Sequence, residues 1–273
     1  MNVIPPNVEN PRNSLIVPLD VNPDVAMKLI DRMCAAGVDY FKVGYNTLAQ
    51  LDKAAIVMSH IYERKGCRIF LDGKFHDIPQ TVENAVRQSI LTGLRYGYAI
   101  EMMNVHALGG RKMMVAAANA ATNTAEDLHI PRPKMIAVTI LTSLNMDDIH
   151  EMGLYHQARF HGDGLMSEMV LCLAELAKSS GMDGVVASAQ HASKIKEKCG
   201  EDFLVVSPGI RRETDKKDDQ QQIVTPRKAI ENGSNQLVVG RPILEAEDPA
   251  EAFEYFCMEI AAGQLARQVA KGK

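Results

Sequence analysis

No stretch of about 18 consecutive apolar residues occurs in the 273-residue chain, so no segment reads as a membrane-spanning helix. The amino terminus also lacks a basic stretch running into an apolar one, the mark of a secretory leader. An excess of one charge is missing too. Thirty Lys and Arg face 34 Asp and Glu, a net of −4, which argues against broad electrostatic binding of nucleic acid or membrane but not against a local basic pocket. Cysteine is sparse: Cys34, Cys67, Cys172, Cys199 and Cys257 are odd in number, widely spaced and without a C-x-x-C pair. That pattern excludes a disulfide framework or a cysteine-rich zinc site and reads as reduced thiols in the cytoplasm. Interdomain linkers and short repeats are absent as well.

What is present is a 46% apolar chain, enough for a sizeable core, of a length that α/β barrels reach as one domain. Residues 1–14 are polar and rich in Pro and Asn, and read as a mostly extended lead-in to a barrel domain over 15–273. Strand-like runs follow at 15–20, 40–44, 68–72, 102–106, 135–141, 184–187, 203–207 and 236–240, separated mainly by amphipathic segments. Eight such units predict a parallel (β/α)8 barrel, with an open doubly wound sheet as the alternative. Asn22-Pro23, Thr225-Pro226 and Asp248-Pro249 each pair an N-cap with Pro at the first helical position. Val25, Leu29 and Met33 form an expected core stripe after the first of these, and Phe253, Phe256 and Ile260 after the third. Residues 142–163 are polar and have room for a short helix. Residues 208–224 form a charged, Gln-rich segment of the kind that serves as a lid.

In a barrel the functional side chains gather at the C-terminal strand ends. Asp20, Lys42, Asp72 with Lys74, His106, Ser143, Gln220 and Arg241 all fall there. Asp72 and Lys74 share a face if their strand continues through them, and Lys42 ends the neighbouring strand. Alternating charges of this kind stabilise protonated lysines and set a cation where a carbanion develops. From spacing alone, Asp72–Lys74 is equally a surface ion pair and Asp77 equally a helix N-cap. Val239-Gly240-Arg241-Pro242 after the last strand and Pro208-Gly209-Ile210-Arg211 after the seventh lie where barrels bind phosphate. Glycine allows close backbone approach there, and arginine can bind phosphate through two hydrogen bonds.

Asp72-Gly73-Lys74-Phe75-His76-Asp77-Ile78-Pro79-Gln80-Thr81 closely resembles the D-x-K-x-x-D-I-P-x-T signature of the orotidine 5′-phosphate decarboxylases. The similarity runs from Val17-Pro18-Leu19-Asp20 through Phe41-Lys42-Val43-Gly44, Asn104-Val105-His106-Ala107, Leu141-Thr142-Ser143 and Asp219-Gln220 to Gly240-Arg241. The resemblance implies a TIM barrel that converts orotidine 5′-monophosphate to UMP and carbon dioxide, the last step of de novo pyrimidine synthesis, without metal or organic cofactor. It implies a charged network of Lys42, Asp72, Lys74 and Asp77, in which Lys74 stabilises the C6 carbanion and supplies its proton. Asp20 and Lys42 would contact ribose, and Ser143 the pyrimidine. Gln220 would bridge lid, base and phosphate, while Arg241 with Gly240 and Pro208 would line the phosphate end. A homodimer is implied, in which Asp77 and Thr81 complete the neighbouring subunit's site. Two positions depart from the pattern: Gly73 replaces a bulkier apolar residue, and Gln222 stands where a basic residue is common. His76 and His106 read as structural or near-site residues. The alternatives are a metal-dependent sugar-phosphate decarboxylase or hexulose-phosphate synthase, and a catalytically silent phosphate-binding barrel.

Overall fold

Short apolar runs separated mainly by amphipathic segments leave parallel strands with crossover helices as the way to bury both faces of a sheet. The computed structural model describes residues 9–153, 164–213 and 224–271. Its strands are β1 (Leu15–Pro18), β2 (Tyr40–Val43), β3 (Arg68–Phe75), β4 (Met102–His106), β5 (Lys134–Val138), β6 (Gly184–Val186), β7 (Leu204–Ser207) and β8 (Gln236–Val238). They close in sequence order into a parallel barrel, β1 pairing with β8. Helices that include Pro23–Ala35, Pro79–Tyr96, Gly110–Leu128 and Pro249–Lys271 surround it. Among the described residues no helix is long and apolar enough to cross a membrane.

The caps act as their residue types dictate. The Asn22 side chain accepts from the Asp24 N–H at 3.0 Å, Thr225 from the Lys228 N–H and Asp248 from the Ala250 N–H. Phe253, Phe256 and Ile260 are buried in the shell between barrel and helices. The first expected stripe holds at Leu29 and Met33 and fails at Val25. Pro23, Ala26, Ile30 and Met33 are the buried positions of that helix, whereas Val25 is 53% exposed. The helix starts beside the barrel mouth, so Val25 lines the mouth instead of packing on the strands, while Leu29 borders the mouth and still packs against the core.

Three further differences have local causes. Pro11–Ser14 forms a 3-10 turn instead of extended chain, with Arg12 donating to the Gly37 carbonyl and pairing with Glu254. β3 runs three residues past the expected end because it carries a register irregularity between Leu71 and Phe75. β5 stops at Val138, three residues short, and the chain then enters the helix Met146–Glu151, which Asn145 opens with a capping box. This is the short helix for which 142–163 had room; the later part of that segment lies outside the described residues.

Inside the barrel, Ile16, Tyr40, Phe70, Met102, Ile136 and Val206, with Val186 and Val238, form a closed apolar plug. Side chains along a strand alternate in and out, so the residues two further along point inward one layer higher. From β1 to β4 those residues are Pro18, Lys42, Asp72 and Asn104. A buried polar layer therefore rests on a dry floor, at the C-terminal face.

Candidate active site

The polar layer opens into a cavity of about 740 Å³ lined by Asp20, Lys42, Asp72, Lys74, Ser143, Pro208, Gly240 and Arg241, among others. At its base four side chains alternate in charge. Lys42 Nζ lies 2.9 Å from Asp20 Oδ1 and 2.8 Å from Asp72 Oδ2, and Lys74 Nζ lies 2.7 Å from Asp72 Oδ1. Only 8% of the Asp72 side chain and 10% of the Lys42 side chain are exposed, against 54% for Asp20. Gly44 makes room for this chain. A Cβ there would stand 3.2 Å from both Asp20 Oδ1 and Lys42 Nζ.

Burial is the largest influence on Asp72 and opposes its charge, but the charges of Lys42 and Lys74 and their hydrogen bonds outweigh it. The carboxyl is held below the usual carboxylate range. For Lys42 burial is again the largest influence and favours the neutral amine. Asp72 and Asp20 reverse it, so the ammonium is held above the ordinary lysine range. Each buried ion thus depends on its opposite, and removal of one partner leaves an uncompensated charge.

Asn104, which the sequence shows within the resembling Asn104-Val105-His106-Ala107 stretch but to which it gives no role, is fully buried at the centre of this array. Its Nδ2 donates to Asp72 Oδ1 at 2.6 Å, and its Oδ1 accepts from the Lys74 backbone N–H at 2.7 Å. The signal was available: an asparagine two residues beyond Met102 in an otherwise apolar strand must point into the barrel and find partners. Lys74 adopts a left-handed backbone (φ 43°), one of two non-glycine residues to do so among those described. Such a conformation costs about 1–3 kcal/mol and persists where surrounding contacts over-determine it.

Asp77 and Thr81 stand apart from the mouth. They line a second cleft of about 720 Å³ on the outer side of the β3 end, which Lys74 also borders. Asp77, Ile78 and Thr81 are exposed. Asp77 Oδ1 accepts from the Ile78 N–H at 2.6 Å and from no helical N–H, so the side chain is not the N-cap of Pro79–Tyr96. His76 and His106 stack with ring centroids 5.3 Å apart. Burial, then the charges of His76 and Lys74, push His106 below its ordinary value.

At the opposite rim Pro208, Gly209, Gly240 and Arg241 converge. A Cβ on Gly240 would meet the Pro18 ring at 2.9 Å, so the closure of β8 onto β1 requires glycine there. Arg211 is buried, and its N–H donates to the Val224 carbonyl at 3.2 Å, which ties together the two ends of the expected lid. Gln220 and Gln222 lie outside the described residues. Among those described, no cluster of three or more His, Cys, Asp or Glu side chains is arranged to hold a metal ion.

Comparison with known proteins gives one answer. The sequence model of the orotidine 5′-phosphate decarboxylase / HUMPS family matches residues 13–256. The orotidine 5′-phosphate decarboxylase of Pelobacter propionicus is 37% identical over 257 residues, covering 94% of this chain and 99% of its own. That of Nitrosomonas eutropha is 45% identical over 199 residues, 73% of this chain and 77% of its own. The crystal structure of orotidine 5′-phosphate decarboxylase from Lactobacillus acidophilus superposes with a TM-score of 0.72 at 35% identity, covering 91% of this chain and 99% of that one.

Proposed function

The chain belongs to the orotidine 5′-phosphate decarboxylase / HUMPS family and its activity is decarboxylation of orotidine 5′-monophosphate to UMP in pyrimidine synthesis; on that premise we propose that Lys74 is the proton donor of the reaction. The observation that carries this role is the charge chain Asp20–Lys42–Asp72–Lys74 on the barrel's dry floor, with Lys74 at its end beside the cavity. As the C6–carboxylate bond breaks, its electron pair stays on C6. The Lys74 ammonium stabilises that charge and transfers a proton to C6 in place of the departed carbon dioxide. Charges fixed in place by one another do this with little reorganisation. Asp72, locked between two lysines and Asn104, holds Lys74 in place and faces the departing carboxylate.

Asp20 and Lys42 bind the ribose hydroxyls, Ser143 the pyrimidine edge, and Arg241 with Gly240 and Pro208 the 5′-phosphate. Gln220 bridges lid, base and phosphate. Asp77 belongs to the same charged network but serves the site of a second subunit, together with Thr81. The exposure of both residues on a cleft that borders Lys74 supports a homodimer with shared sites. Residues 1–14 are an extension to the catalytic barrel of 15–273. Five free thiols suit the reducing cytoplasm.

Mixing inactive Lys74→Ala and Asp77→Ala proteins tests the assignment. Subunit exchange places one intact site in each mixed dimer and restores turnover, read as loss of orotidylate absorbance. Absence of recovery after demonstrated exchange rejects the shared site, and more than a tenth of wild-type kcat in Lys74→Ala alone rejects the proton donor. The competing reading, a metal-dependent sugar-phosphate enzyme of the same family, requires activity to vanish on exhaustive chelation, whereas orotidylate turnover by these residues persists.

A further inference from the structure

We infer that Tyr45 is a positioning residue for Lys74, clamping the peptide unit that precedes it. The Tyr45 hydroxyl donates to the Gly73 carbonyl at 2.8 Å. That carbonyl and the Lys74 N–H belong to one planar peptide group, and the N–H is held by Asn104 Oδ1 at 2.7 Å. One plane is therefore gripped from both sides: its oxygen by a residue just past β2, its hydrogen by a residue of β4. The grip falls in the stretch of β3 where the register is broken, between Leu71 and Phe75. With the plane fixed, the rotation that remains is φ of Lys74, the torsion that sits at 43°.

The residues around this grip are complementary. Tyr45 is 59% exposed, so core packing does not account for its place. Its ring lies 5.9 Å from Lys74 Nζ, within range of a cation–π contact that favours the ammonium at this position. Gly73 is bracketed by the same group. A Cβ there would come within 2.9 Å of the Phe75 ring, which occupies the space that a side chain at 73 would take. Any larger residue at 73 must displace Phe75. In this chain the missing side chain at 73 is thus offset by Phe75 on one side and by the Tyr45 hydroxyl on the carbonyl.

The inference rests on Lys74 being the proton donor, and the test separates the two. Tyr45→Phe removes the hydroxyl and keeps the ring; Tyr45→Leu removes both; Lys74→Ala is measured beside them. Loss of one neutral hydrogen bond predicts that kcat of Tyr45→Phe falls about three- to ten-fold, with KM within two-fold of wild type. The melting temperature should fall by no more than about 5 °C, as expected for one neutral hydrogen bond with the ring kept in place. Tyr45→Leu should lose a further two- to five-fold in kcat through the ring contact. A wild-type kcat in Tyr45→Phe with an inactive Lys74→Ala overturns the positioning role and leaves the proton donor standing. An active Lys74→Ala removes the premise, and the inference falls with it. A change confined to KM, or a loss of kcat that tracks a large fall in melting temperature, also overturns it, since either is what a mouth-shaping or purely structural tyrosine would give.

Discussion

Asn104→Leu separates the two things this buried amide does. The substitution keeps similar volume and removes both hydrogen bonds, to Asp72 Oδ1 and from the Lys74 N–H. A hydrogen bond to a charged group contributes about 1.5–3 kcal/mol and a neutral one about 0.5–1.5 kcal/mol. Their loss therefore costs about 2–4.5 kcal/mol, because Asn104 is fully buried and water does not replace it. For a domain of this size that lowers the melting temperature by about 5–15 °C. Turnover suffers separately. The left-handed backbone of Lys74 stores about 1–3 kcal/mol, and without the amide nothing holds its N–H. The productive conformation then loses about 5- to 150-fold in population, and kcat should fall by that factor with KM little changed. Thermal unfolding by circular dichroism and initial rates of orotidylate loss read the two effects independently. A variant that unfolds within about 1 kcal/mol of wild type refutes the hydrogen-bond accounting. One that is destabilised as expected but keeps its kcat refutes the argument that strain at Lys74 must be held.

Arg241→Ala should lower kcat/KM by about ten- to a few-hundred-fold, mainly through KM, because a charge-assisted phosphate contact of about 1.5–3 kcal/mol is lost far from the scissile bond; unchanged steady-state kinetics would show that the phosphate binds elsewhere. Stability should decline on acidification in two stages. His106 and His191, both pushed below the ordinary 6.5 chiefly by burial, bind protons more readily when unfolded, so their contribution is complete above pH 6.5 and is lost as pH falls toward the folded values. Asp72, held below 3.8, contributes stability that is present above that pH and lost as pH falls through its lower folded value. Urea midpoints measured against pH should therefore show a first decline that His106→Asn makes shallower, and an unchanged slope in that variant would exclude His106 as a contributor.

The barrel was legible because each unit announces itself locally. Asn22-Pro23 caps a helix whatever surrounds it, and an alternating or continuous apolar run specifies a strand within a few residues. The polar strand ends were legible for the same reason, since Lys42 and Asp72 lie two residues beyond Tyr40 and Phe70 in the plug. Val25, exposed at the head of an otherwise correct stripe, shows the limit. Helical period fixes which residues share a face, but the partner of that face, barrel wall or barrel mouth, is set by where the helix begins in three dimensions. Asp77 shows another limit. Its place before Pro79 suits an N-cap, yet its carboxylate turns to the Ile78 N–H and stays exposed on the outer cleft.

The backbone of Lys74 was beyond reach of any local rule. Period-two reasoning puts Asp72 and Lys74 on one face only if the strand stays regular, and it does not. The two side chains meet across a register irregularity within β3, between Leu71 and Phe75, and neighbouring segments hold that stretch from outside. Its restraints come from residues 28 and 30 positions away, one just past β2 and one on β4. A glycine at 73 accordingly looks like a loosened strand end when read alone. With its carbonyl held by Tyr45 and its missing side-chain volume filled by Phe75, the same glycine sits within a restrained segment. Rigidity at this site is thus a property of three neighbouring chain segments and not of the D-x-K spacing. A substitution at 45 or 104 should therefore disturb the lysine as surely as a change beside it, without altering any charge in the network.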